Sequence, residues 1–98
     1  MASIAFHPEA ATEFEEALCW YSERSRRAAK GFDEAVSLAL REIELSPQRC
    51  PLVDRRHHLK ILEQRFPYHI VYRVDGDVLT VIAVAHHARR PRYWQGRR

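Results

Sequence analysis

The apolar residues of this chain change their spacing partway along. Up to about residue 45 they recur every three or four positions, the period of one helix face. Beyond about residue 55 they alternate, or run together in short β-branched and aromatic stretches, as strands do. A helical half followed by a β half restricts the fold to an α+β arrangement, with helices laid on one face of a largely antiparallel sheet.

The punctuation supports this division. Ser3 to His7 alternates and reads as a short first strand, and Pro8 suits a first helical turn, where its missing N–H costs nothing. From Glu9 to Arg24, Ala10, Phe14, Ala17, Leu18 and Tyr21 share one face. Glu13, Glu16 and Glu23 fall on the other, and Trp20 lies beside the main stripe. Ser22 to Ala28 reads as the interhelical turn. In the second helix Phe32, Ala35, Val36, Ala39 and Ile43 form the buried face, Leu38 and Leu45 a smaller second stripe, and Pro47 and Pro51 end it. The two helices make an αα-hairpin.

Strands are expected at His57–Glu63, Tyr68–Val74 and Val78–His86, with Asp75-Gly76-Asp77 as a tight turn. The last strand is apolar at both parities, so both its faces should be covered. Phe66-Pro67-Tyr68 marks the entry into the middle strand. Tyr68 and Tyr72 read as flanking the core. The expected order is β-α-α-β-β-β, a helical hairpin packed on a small, mostly antiparallel sheet, as a single domain over residues 1–98. The tail, Ala88 to Arg98, holds five arginines with Tyr93 and Trp94, shows no apolar periodicity and reads as surface.

Several function classes are disfavoured at once. Ninety-eight residues allow one modest core. The N-terminus has no basic segment followed by an apolar run, so no leader is read there. Val78–Ala85 is too short to span a bilayer, and a cytoplasmic location is expected. Cys19 and Cys50 form no C-x-x-C and no disulfide framework. His57-His58 and His86-His87 are adjacent pairs on strands, where neighbours face opposite ways, so neither pair can serve one metal site. No metal or cofactor is expected, and no nucleophilic elbow or glycine-rich phosphate loop is present.

What remains is charge. The net charge is +3, but residues 1–48 carry −4 and residues 49–98 carry +7, and fourteen of the sixteen basic residues are arginine. Arginine forks favour planar or bidentate contact with phosphates and carboxylates. The basic half, with its interleaved aromatics, therefore reads as a surface for nucleic acid or for an acidic protein segment. Composition does not separate the two.

At this point the sequence resembles a known family. Trp20-Tyr21, Ala28-Ala29 with Phe32, and Pro47 match a helical hairpin. Phe66-Pro67-Tyr68, Val71-Tyr72-Arg73, Ala83-Val84-Ala85-His86, then Arg89, Pro91 and Trp94 match an FPY–strand–hairpin–strand–H-x-x-R-x-P-x-x-W ending. In this order the pieces resemble the ParE toxins of the RelE/ParE superfamily, the toxin half of type II toxin–antitoxin modules. Arg90 departs from the pattern, since many relatives carry an acid before the proline, and it makes this tail more basic than usual.

The resemblance implies a toxin that poisons DNA gyrase and blocks replication, in the manner of plasmid-stabilisation modules. It also implies a cognate ParD-type antitoxin with an acidic or amphipathic C-terminal segment, in a toxin–antitoxin hetero-oligomer. The RelE-type relatives supply an alternative, ribosome-dependent cleavage of mRNA. On that reading Arg65, Arg73 and Arg89 would stabilise phosphorane charge while Tyr93, His86 or His87 moved a proton. Arginine is a poor proton shuttle, and Lys60 is the only lysine of the β half, so the nuclease constellation is incomplete. A gyrase poison needs only a binding surface, and a plain protein-interaction module of the same architecture is a third reading. The target-facing patch is expected to comprise Arg65, Arg73, Arg89, Arg90, Arg92 and Trp94. The antitoxin surface is expected to comprise Trp20, Leu38 and Leu45, with Arg56 and Lys60 receiving its acids.

Overall fold

The structure, a computed structural model, describes residues 3–98. Met1 and Ala2, where the segment read as lacking a leader begins, lie outside them. Six elements follow the expected order: β1 (Ser3–Phe6), α1 (Pro8–Arg24), α2 (Arg26–Leu45), β2 (His58–Ile61), β3 (Tyr68–Asp75) and β4 (Val78–His86). The sheet order is β1-β4-β3-β2, with β1 parallel to β4 and the other pairs antiparallel.

Local chemistry explains the helix ends. His7 caps α1, its Nδ1 accepting from the Glu9 amide at 3.1 Å, and Pro8 occupies the first turn. The interhelical turn is shorter than the polar run Ser22–Ala28 suggested, because a single extended residue, Ser25, makes it (φ −165°, ψ 121°). Its amide donates to the Tyr21 carbonyl at 2.8 Å, closing α1, and its Oγ accepts from the Ala28 amide at 3.1 Å, opening α2. One serine thus serves as the C-cap of one helix and the N-cap of the next.

The hairpin buries its stripe on one sheet face. Phe32 is fully buried, stacked on Phe14 and Tyr21 and edge-on to Phe66. Beneath it lie Ile70 and Tyr72 of β3 and Leu79, Val81 and Val84 of β4. Burying each such side chain contributes roughly 1.5–3 kcal/mol. Gly31 permits this approach, since a Cβ there would lie 3.3 Å from Phe66 Cζ. Tyr72 is buried outright instead of flanking the core, and its hydroxyl donates to the Pro47 carbonyl at 2.7 Å. His58 stacks on Tyr72, and its Nδ1–H donates to the Cys50 carbonyl at 2.8 Å. Together they pin the segment between α2 and β2 to the sheet.

β4 changes parity partway. Val71 pairs with Ala83 and Tyr72 with Val81, which leaves Ile82 as an extra residue, a β-bulge. Val81 and Val84 therefore face the helices, while Ile82, Ala83 and Ala85 face outward. Gly76, with φ 60°, supplies the positive φ that the two-residue β3–β4 loop requires.

The outer face carries a second core. Val71, Ile82, Ala83 and Ala85 are covered there by Trp94, which is 3% exposed. The tail is therefore not the free basic surface that its lack of periodicity suggested. Irregular backbone has no period to display, so one buried indole within it left no pattern.

Candidate functional site

The tail is held down by Glu13. Its carboxylate accepts from the Tyr93 hydroxyl (2.6 Å), from both terminal nitrogens of Arg97 (2.8 and 2.9 Å) and from the Val84 amide (3.0 Å). Arg97 also donates to the Ile82 carbonyl at 3.0 Å. β1 pairs with β4 only as far as Val81, so these side chains satisfy the edge of β4 beyond that point. Glu13 and Arg97 form an almost buried ion pair, their side chains 12% and 10% exposed. Burial pushes the Glu13 carboxyl up, but the hydrogen bonds from Arg97, Tyr93 and Val84 outweigh it and leave it below the ordinary carboxylate value. The same burial, reinforced by Glu13, drives the Tyr93 phenol far upward.

Glu13 does not lie on a solvated face. Its position was legible: it falls three residues after Ala10 and four before Ala17, the two buried residues of α1, and so lies on their stripe. Arg97 carried no comparable signal.

The arginines expected to form one patch divide into groups. Arg89, Arg90 and Arg92 converge on the outer face, rimming a hollow of about 270 Å³ with His69 and His87 opposite. The Arg89 guanidinium lies 4.0 Å over the Tyr93 ring, and Arg92 donates to the Val53 carbonyl at 2.7 Å. Arg73 sits farther along β3, its side chain 16% exposed and hydrogen-bonded to Asp75 at 2.8 Å. Arg65 lies apart from them, over Phe66 and close to Gly31 of α2, and pairs with Glu63. Trp94, expected at the target-facing surface, is in the outer core; its ring is consumed by packing against the sheet and against His57 at 4.8 Å.

The residues of the nuclease alternative meet only in part: Arg89 lies over Tyr93, shares one groove with His86 and lines the outer hollow with His87, whereas Arg65 and Arg73 lie apart. His86 faces the helix side, edge-on to Tyr68 at 5.1 Å, and its Nδ1 accepts from the Ala88 amide. Tyr93 donates to Glu13, and Arg65 and Arg73 are each tied to a neighbouring acid.

The exposed apolar residues border two grooves. Trp20 is half-exposed, with the Arg24 guanidinium 3.7 Å over its ring, and it borders a groove of about 450 Å³ with Tyr21, Tyr68, His86 and Arg89. Leu38 and Leu45, 56% and 79% exposed, lie one heptad apart on α2 with Glu42 between them. Glu42 pairs with Lys60 of the edge strand β2 at 3.5 Å, and the groove between α2 and β2 is lined there by Leu38, Lys60 and Ile61. Arg56 is not among them. It lies in the loop before β2, lining a hollow with Val74 and Asp75, and its amide donates to Asp54 at 2.8 Å. Ile61 and Leu52, both exposed, add apolar surface that the short β pattern did not reveal.

His57-His58 divide between the faces as strand geometry requires: His57 contacts Asp54 and Trp94, and His58 contacts Tyr72. Among the described residues no three His, Cys, Asp or Glu side chains gather as metal ligands, and no helix is long and apolar enough to cross a membrane.

A family model described as the ParE toxin of type II toxin-antitoxin system, parDE, matches residues 4–91. No curated protein matches the chain. Among solved structures, the chain is similar to one from the chromosomal ParDE TA system of P. aeruginosa, with a TM-score of 0.73 at 15% identity, over 88% of this chain and 96% of that one. At that identity the likeness is one of fold. The family match stops short of Tyr93, Trp94 and Arg97.

Proposed function

The chain belongs to the ParE toxin family of type II toxin–antitoxin systems, and from that membership we propose that it poisons DNA gyrase, acts in the cytoplasm and is neutralised by a ParD-type antitoxin. The observation that carries the target reading is the outer face, where Arg89, Arg90 and Arg92 have no carboxylate partner among the described residues. A poison needs a surface of this kind and no proton-transfer group. The nuclease alternative needs an acid and a base free beside the cations, and although Tyr93 and His86 lie near Arg89, the Tyr93 hydroxyl is committed to Glu13 and His86 Nδ1 to the Ala88 amide.

The antitoxin reading rests on the helical hairpin. Trp20, Leu38 and Leu45 are large, apolar and exposed, which suits a surface meant to be covered by an amphipathic segment. Lys60, paired with Glu42, stands beside Leu38 where it can meet an acid of that segment, and Arg56 offers a second cation at a separate hollow beside Val74 and Asp75.

Adding the purified protein to a gyrase supercoiling reaction, and in parallel to a translating ribosome extract, tests the target. Accumulation of cleaved plasmid with intact mRNA is the expected result. A-site cuts in mRNA with normal supercoiling would overturn the gyrase reading in favour of the nuclease.

A further inference from the structure

The hollow on the outer face holds a close pair of imidazoles. His69 of β3 and His87, just past β4, stack nearly parallel (9°) with their Nδ1 atoms 2.9 Å apart. Two ring nitrogens at that separation need one N–H and one lone pair between them, so one ring donates to the other. Across the hollow stand Arg89, Arg90 and Arg92, and Val53, Leu59 and Trp94 supply its apolar lining.

The backbone is committed to this arrangement. Arg92 holds a left-handed φ of 60°, uncommon for a side chain of its size, and its guanidinium is anchored on the Val53 carbonyl. The opening therefore has two anchored arginines, Arg89 on Tyr93 and Arg92 on Val53, a third in exposed Arg90, and two imidazoles, with no carboxylate among its lining residues. One arginine fork satisfies a carboxylate. Three forks and a histidine pair exceed what one carboxylate can accept and suit the several oxygens of a phosphate, with the apolar lining left for a sugar.

We propose that this hollow is a phosphodiester site that takes a backbone phosphate of a single nucleic-acid strand between the His69–His87 pair and the arginines at 89, 90 and 92. The inference rests on the reading of the outer face as target-facing, and adds that the protein touches the nucleic acid of its target as well as the protein.

Linkage gives the site a second readout. Burial and then the neighbouring His87 and His86 hold the His69 imidazole below its ordinary value. The groups around the pair are His86 on β4 and Arg89, Arg90 and Arg92 in the tail, while β2 sets uncharged Leu59 and Ile61 against β3 there. A bound phosphate favours the protonated His69 imidazole, so affinity rises as pH falls, and the His69 ring resonances titrate higher when the strand is bound.

The test is fluorescence anisotropy of the full-length protein with a labelled single-stranded oligodeoxynucleotide, over a salt series. The logarithm of affinity is expected to fall linearly with the logarithm of salt, and Arg90→Ala to lower that slope by about 0.7–1. Arg27→Ala, an exposed charge on α2, serves as the control and is expected to leave the slope unchanged. In NMR spectra the rings of His69 and His87 are expected to shift with the oligonucleotide and with pyrophosphate. Unshifted rings, or an Arg90→Ala slope equal to wild type, would overturn the site. Equal displacement by oligoglutamate would overturn it in favour of an acidic protein segment. If Arg90→Ala binds the strand as wild type does while the wild-type protein poisons gyrase, the phosphate site fails and the gyrase reading stands. If the strand binds as expected and gyrase is unaffected, the reverse holds.

Discussion

Replacing Glu13 by Gln tests whether one carboxylate holds the tail to the sheet. The substitution keeps the side chain's shape and removes the charge opposite Arg97, which is 10% exposed. Breaking one side of a buried pair costs about 3–5 kcal/mol, mostly because the other charge is stranded. The pair lies at the edge of β4, so the tail can peel away and let Arg97 hydrate, at the expense of uncovering Trp94. That escape caps the loss, and a net destabilisation of about 2–3 kcal/mol follows. For a chain of this size, at roughly 4–8 °C per kcal/mol, thermal unfolding should move down by about 10–20 °C.

The double variant Glu13→Gln/Arg97→Met should lose less than the sum of the two singles, because it strands no charge. Hydrogen exchange of the Val84 amide, which donates to Glu13, should accelerate in the single variant. The acid limb should change as well. A carboxyl held below its ordinary value stabilises the fold above that ordinary value, and the contribution is lost as pH falls through the depressed one. Glu13→Gln should therefore flatten the stability profile below about pH 4.5. A cost under about 0.5 kcal/mol, or strictly additive singles, would refute the reasoning.

Three further outcomes are expected. Trp94→Ala should cost about 3–5 kcal/mol by chemical denaturation, so loss of toxicity in that variant would report unfolding and not a missing contact. Asp54 should set a second acid transition. Its carboxyl, pushed up by burial, is brought down to about 2 by the amides of Arg56 and His57 and by the His57 ring, so its stabilisation fades as pH falls from about 4 towards 2, and Asp54→Asn should remove that component from an acid titration. Leu38→Glu and Leu45→Glu, at exposed positions, should shift thermal stability by less than about 0.5 kcal/mol while weakening capture by the antitoxin in a titration.

The parts of the fold legible in sequence were those with a period. The stripe Phe32, Ala35, Val36, Ala39, Ile43 and the β3–β4 hairpin around Gly76 stand where spacing and turn chemistry put them. The turn between the helices was drawn too wide, because a polar surface run such as Ser22–Ala28 does not show that one capping serine suffices. The bulge at Ile82 was visible only as apolar residues at both parities of β4. The candidate site was less legible: Trp94 and Arg97 act through contacts with residues far away in the chain, and no local pattern records those. Arginine-rich composition marked the basic half correctly, but it could not show that Arg65 and Arg73 are tied to neighbouring acids while Arg89, Arg90 and Arg92 share one hollow.

The cover of the outer core has a consequence for how the protein is made. Every strand that Trp94 covers precedes it in the chain, so a ribosome that has finished β4 has produced all six elements and only one of the two cores. Val71, Ile82, Ala83 and Ala85 lack the Trp94 cover until the tail has emerged and Tyr93 and Arg97 have engaged Glu13. A product terminated at residue 90 would keep nearly the full helix and strand content, and far-UV circular dichroism would scarcely distinguish it from the intact chain. Near-UV dichroism from a packed indole, or resistance to proteolysis, would separate the two.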